Sequence, residues 1–166
     1  MYKKVLMAVD ASPQSMKTAE HVVEMVKNGI IGKITLVNVV PEAKEEKPRW
    51  PGEFGVEVAP MRPANLETRF AVESRLAPVL DIFEAAGVAA ELQILLGKPS
   101  EVTCSLAAEG NYDLVITGSR GLNHLEGVLM ESTSARILSS AGCPVMVFNP
   151  IPKAVPVVPA NQLYEF

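Results

Sequence analysis

The sequence predicts a single α/β domain with a parallel sheet covered by helices on both faces. Short runs of β-branched and aliphatic residues alternate with stretches of helical periodicity, the pattern of repeated βαβ units. Nearly half of the 166 residues are apolar (48%) but only 5% are aromatic, so Val, Leu, Ile and Ala must fill the core, as in sheets buried on both sides. A chain of this length buries one core comfortably and would cramp a second.

Val5-Leu6-Met7-Ala8-Val9 is a continuous apolar run closed by Asp10-Ala11-Ser12-Pro13, which makes it a central strand. Ser12 caps the next helix with Pro13 at its first position, and Met16, Ala19, Val22, Val23 and Val26 form the apolar stripe until Asn28-Gly29 closes it. His21 lies off the stripe and reads as solvated. Residues 33–40 give a second strand, stopped by Pro41, and complete a right-handed βαβ unit.

From 41 to 63 the periodicity is lost among prolines, charges, Trp50 and Phe54. This stretch reads as a flexible excursion, the alternative being an aromatic that packs over a ligand or a second subunit. Asn65 starts a helix with Leu66, Phe70, Leu76, Leu80 and Phe83 as its apolar positions, kinked at Pro78 and stopped at Gly87. Residues 88–96 form a third strand, and Lys98-Pro99-Ser100 opens a short helix with Val102, Leu106 and Ala107 inward. Residues 112–117 form the fourth strand. A helix from about Ser132 then runs through Ile137 and Leu138 to Gly142, and residues 144–148 form the last strand.

The tail from 149 to 166, with Pro150, Pro152, Pro156 and Pro159 among apolar residues, reads as an extended arm that packs on its own domain or on a partner.

The formal net charge is −4 and the basic residues are scattered, which argues against nucleic acid as a partner. Cys104 and Cys143 lack CxxC spacing, so the sequence predicts two small buried residues rather than a disulfide framework or a metal site. The apolar run before Asp10 is too short for a signal segment or a membrane span, so the expectation is a cytoplasmic protein.

Ligand chemistry in such a fold gathers at the carboxyl ends of the strands, near the topological switch point. Asp10 falls there, where it either accepts hydrogen bonds from a base or ribose or serves the turn at Ser12-Pro13. Thr117-Gly118-Ser119-Arg120-Gly121 also falls there and leads through Gly127 to a helix start near Glu131-Ser132-Thr133. Glycines permit positive φ and close approach by a ligand, while free N–H groups at a helix start attract phosphate. Together these features suggest a nucleotide.

In Val9-Asp10-Ala11-Ser12-Pro13, in the run from Asp113-Leu114 through Gly118-Ser119-Arg120-Gly121, and in Ala141-Gly142-Cys143-Pro144-Val145-Met146-Val147, the chain resembles the universal stress protein family over residues 2 to 149. The resemblance implies a three-layer α/β/α fold with a five-stranded parallel sheet, Rossmann-like and similar to the adenine nucleotide alpha hydrolases. It implies a stress-response or signalling domain at 1–149 with a variable loop at 41–63, followed by a Pro-rich arm at 150–166. A homodimer is implied, paired through the last strand, with the arm as a further contact. The implied ligand is ATP or AMP, with Mg²⁺ only beside ATP.

The ATP-binding branch of that family carries Gly-x2-Gly-x9-Gly-(Ser/Thr). Here Gly118, Gly121 and Ser132 match, and Glu131 stands in place of the third glycine. By the resemblance Asp10 and Val39 face adenine and ribose, while Gly118, Gly121, Ser132 and Thr133 surround the phosphates. Arg120 either contacts phosphate or stays solvated or paired with Glu126 or Glu131. Glu131 adds a Cβ and a negative charge beside a polyanion, so nucleotide binding is expected to be weak, altered or absent. A carboxylate in a first helical turn is itself stabilising by ~0.3–1 kcal/mol, which lets Glu131 act as a built-in anion.

No enzymatic activity is expected, slow ATP hydrolysis aside. His124 has no Ser/Asp partner at recognisable spacing, and no Ser-Gly-Gly-x-Asp-Ser or His-x-x-His stretch follows the first strand. A phosphoacceptor role is disfavoured because Asp10 lacks an acidic neighbour and the third strand ends in Gly97.

Overall fold

The computed structural model describes residues 1–42, 61–119 and 133–149. The elements are β1 (Tyr2–Ala8), α1 (Pro13–Lys27), β2 (Ile31–Val40), β3 (Arg62–Pro63), α2 (Leu66–Ala85), β4 (Ala90–Leu96), α3 (Pro99–Glu109), β5 (Leu114–Gly118), α4 (Thr133–Ser140) and β6 (Val145–Phe148). They form one sheet in the order β3-β4-β2-β1-β5-β6.

Five strands pair in parallel, as the alternation of strand and helix predicts, with Val5 opposite both Ile34 of β2 and Leu114 of β5. The sixth is an addition. At the end of the stretch read as aperiodic, Arg62 and Pro63 pair antiparallel with Leu96 and Leu95. Pro63 is tolerated because β3 is the edge strand of the sheet among the described residues. The rest of that stretch, residues 43–60 with Trp50 and Phe54, and the arm at 150–166 lie outside the described residues.

Alternation along the strands divides the core into two layers. Val5 and Met7 of β1, Ile34 and Leu36 of β2 and Ile116 of β5 are buried together with Ala19 and Val22 of α1 and Val72, Leu76, Val79 and Phe83 of α2. Leu6, Val37 and Val115 point the other way, with Val102, Leu106 and Ala107 of α3 and Ile137 of α4. The sheet is therefore sandwiched between two pairs of helices, the three-layer α/β/α arrangement.

Two of the expected apolar faces need correction. Leu66 and Phe70 of α2 are 85% and 74% exposed, and the buried stripe consists of Val72, Leu76, Val79 and Phe83. At 100° per residue Leu66 and Phe70 sit roughly 110–150° from the centre of that stripe, so a spacing of four between two apolar residues was not enough to place them inward. Leu138 of α4 is 59% exposed while Ile137, one position earlier, is fully buried. An eight-residue helix packed on one side has room for a single inward ridge.

Near the amino ends of the strands, the Asp113 carboxylate accepts hydrogen bonds from the backbone N–H groups of Lys3 (2.9 Å) and Lys4 (2.8 Å), tying the start of β1 to the start of β5. His21 is exposed as expected, yet its ring stacks on Phe148 at the end of β6, with centroids 4.8 Å apart. Cys104 and Cys143 are partly rather than fully buried, and both pack against the α3/α4 layer. Burial pushes both thiols above the ordinary range, with Cys143 adding to the effect at Cys104. Among the described residues no helix is long and apolar enough to cross a membrane.

The same residue type on one helix supplies a sharp test of the α2 assignment. Leu76→Ala is expected to cost about 2–5 kcal/mol by cavity formation. Leu66→Ala is expected to cost less than about 0.5 kcal/mol. Urea denaturation of the two variants measures both.

Candidate functional site

Strand order places the site. β1 has β2 on one side and β5 on the other, so the chain leaves the carboxyl edge of β1 toward one half of the sheet and the carboxyl edge of β5 toward the other. The crevice between those departures is where ligands enter open parallel sheets. A cavity of about 750 Å³ lies there, large enough for a nucleotide.

Asp10 lines its floor directly after β1 and has a structural task. Its Oδ1 accepts from the Ser12 N–H at 3.0 Å and from the Ser12 hydroxyl. The Ser12 hydroxyl accepts from the N–H of Ser15 at 3.2 Å as the cap of α1, and the Ser15 hydroxyl accepts from the Asp10 N–H at 3.0 Å. The turn reading of Asp10 therefore holds in full, and this same closed ring of hydrogen bonds fixes the carboxylate at the cavity wall.

Val39, near the end of β2, lines the cavity beside Asn38. The Asn38 side chain donates to the Val9 carbonyl at 2.8 Å, and the Val9 N–H donates to the Val37 carbonyl at 2.9 Å, so β1 and β2 stay joined past the last residue of β1. Gly118 closes β5 and also lines the cavity. Its φ is not positive, in contrast to Gly29, Gly87 and Gly97, so left-handed backbone is not what glycine supplies here. A Cβ at Gly118 would stand 3.3 Å from Thr18 Oγ1 of α1, so the glycine lets β5 end in close contact with that helix.

Thr133, the first residue of α4, lines the opposite wall with Ser134. Asp10, Val39, Gly118 and Thr133 therefore converge on one cavity. Arg120, Gly121 and Ser132, as well as Glu131 and His124, lie outside the described residues.

The structure adds lining residues to which the sequence reading gave no part in the site. Lys98, Pro99, Ser100 and Thr103 enter from the start of α3, and Arg136 enters from α4. Lys98 is placed by Gly97, whose φ of +135° turns the chain out of β4 and whose missing Cβ would otherwise meet Val102 Cγ2 at 2.8 Å. One signal was available: a Gly-Lys-Pro turn at the carboxyl end of a parallel strand delivers its lysine to the edge where ligands bind. Arg136 gave none, because a single basic residue in a short helix does not reveal its face. Hydroxyls, amides, one carboxylate and two cations make a lining that fits a nucleotide. Among the described residues, no cluster of His, Cys, Asp and Glu is suited to hold a metal ion.

Residues 1–149 match the model of the universal stress protein family. A universal stress protein of Methanocaldococcus jannaschii is 28% identical over 149 residues, covering 89% of this chain and 82% of that one. Among solved structures, a universal stress protein in complex with cAMP superposes with a TM-score of 0.62 at 19% identity, covering 88% of this chain and 95% of the other. A universal stress protein family member from Arabidopsis thaliana with AMP bound superposes with a TM-score of 0.59 at 24% identity, covering 95% and 99%. At these identities the structural likeness establishes the fold.

The ring around Ser12 predicts a stability effect independent of any ligand. Ser12→Ala is expected to lower unfolding free energy by about 1 kcal/mol through loss of the α1 cap. Denaturant unfolding without nucleotide measures it, and an unchanged midpoint would contradict the cap.

Proposed function

The chain belongs to the universal stress protein family, and from that membership we propose a cytoplasmic stress-signalling domain that responds to an adenine nucleotide by binding it rather than by catalysis. The observation that carries this reading is the convergence of Asp10, Val39, Gly118 and Thr133 on one cavity at the switch point of the sheet. The assignment of base and ribose to Asp10 and Val39, and of phosphate to the Gly118 and Thr133 side, rests on the family pattern. Two structural relatives, which hold cAMP and AMP, support the choice of an adenine nucleotide.

Glu131 retunes the site. It precedes Thr133, the first residue of α4, by two positions. A carboxylate at a helix start occupies electrostatic ground that a polyphosphate would otherwise use. ATP binding is weakened by it, and Mg²⁺ enters only where ATP does.

The assembly proposed is a homodimer formed through β6, which ends the sheet among the described residues. The Pro-rich segment after β6 is assigned to the same contact.

Isothermal titration of ATP into the wild type and into Glu131→Gly tests the retuning. The variant is expected to bind on the order of tenfold tighter, through relief of like-charge repulsion. Equal affinities would remove Glu131 from the account and leave a genuine ATP-binding switch in its place.

A further inference from the structure

We propose that Cys104 and Cys143 are an oxidation site, closing under peroxide into a reversible disulfide within one chain. Neither residue lines the cavity, so the proposal does not depend on a nucleotide. They are the two cysteines of the chain and lie far apart in sequence, and the fold brings them to one place.

Strand register sets their height on the sheet. Val145 of β6 pairs with Val115 of β5, so Cys143, two residues before Val145, stands level with Asp113. That is about 3 Å along the chain direction from Tyr112. Helix α3 meets the same place, because the Tyr112 N–H donates to the Ala107 carbonyl at 3.0 Å. Cys104 precedes Ala107 by three residues in a helix that runs antiparallel to β5. It therefore stands about 4.5 Å from that level in the same direction. The heights of the two cysteines agree to within roughly 2 Å.

They also share one face of the sheet. Both are partly exposed, and both pack against the buried cluster that contains Leu106, Ala107 and Val115. Burial raises the Cys143 thiol above its ordinary range, the Val115 N–H beside it favours the thiolate, and Asp113 opposes it. At Cys104 burial is again the main cause, and the charge of a Cys143 thiolate raises it further. Each sulfur thus lies within the field of the other, and Cys143 ionises first.

That order assigns the roles. The Cys143 thiolate attacks one peroxide oxygen, the O–O bond breaks, and a sulfenic acid forms as hydroxide leaves and takes up the proton that Cys143 released. The Cys104 sulfur then attacks the sulfenic sulfur, and the S–O bond breaks with loss of water that carries the Cys104 proton. Two thiols and one hydrogen peroxide give one disulfide and two waters. The bridge ties α3 to the turn between α4 and β6. In a reducing compartment the pair rests as thiols and closes only under oxidant.

The test treats the folded full chain with excess hydrogen peroxide and blocks remaining thiols by alkylation. Mass spectrometry of a non-reducing digest is expected to show the Cys104 and Cys143 peptides joined, the denatured chain is expected to keep its monomer mass, and dithiothreitol is expected to restore both thiols. Cys104→Ser is expected to stop at the Cys143 sulfenic acid, which dimedone traps. Persistence of both thiols in the wild type, bridges only between chains, or a bridge that forms only in urea would overturn the proposal.

Discussion

The constraint on which the molecule depends is the central position of β1. Val5, Leu6 and Met7 are buried on both faces, and the strand has a parallel partner on each side, β2 toward one half of the sheet and β5 toward the other. Burial on both sides requires two helical layers, and parallel pairing requires each helix to return the chain to the same edge. The two halves of the sheet must then diverge at the carboxyl end of β1. The cavity is a consequence of that divergence, and the hydrogen-bonded ring of Asp10, Ser12 and Ser15 holds its edge in shape.

Much of this was legible in the sequence, for identifiable reasons. Strands buried on both faces read as unbroken apolar runs, and helix ends were marked by Ser12-Pro13, Asn65 and Gly87, all of which the structure uses as caps or turns. What escaped was whatever depends on angle rather than on type. Leu66 and Phe70 carry the right chemistry for a core but face away from it, while Val72 and Val79 were passed over although they lie on the inward ridge. β3 escaped because a two-residue strand has no periodicity of its own; it exists through its pairing with β4.

The site divides along the same line. Asp10, Val39, Gly118 and Thr133 were reachable because they belong to strand ends and motif positions, and all four line the cavity. Lys98 and Arg136 were not, since they reach the cavity from α3 and α4 and their faces are set by tertiary packing. Of the two properties for which Gly118 was singled out, positive φ and close approach, the first is not used, and the missing Cβ lies beside Thr18 of α1. The cavity is thus bounded by strand ends, with its charged lining residues drawn from the end of β1 and from α3 and α4.

The central claim is that an adenine nucleotide occupies this one cavity, with its phosphate toward Gly118 and Thr133. A titration of isotopically labelled protein with AMP, followed by two-dimensional NMR, tests it most directly. The account predicts that the largest shifts cluster at Asp10, Val39, Lys98, Gly118 and Arg136, with little change at Leu66 or Phe70. Saturable shifts confined to residues away from the carboxyl edge of β1, or no saturable shifts at all, would contradict it.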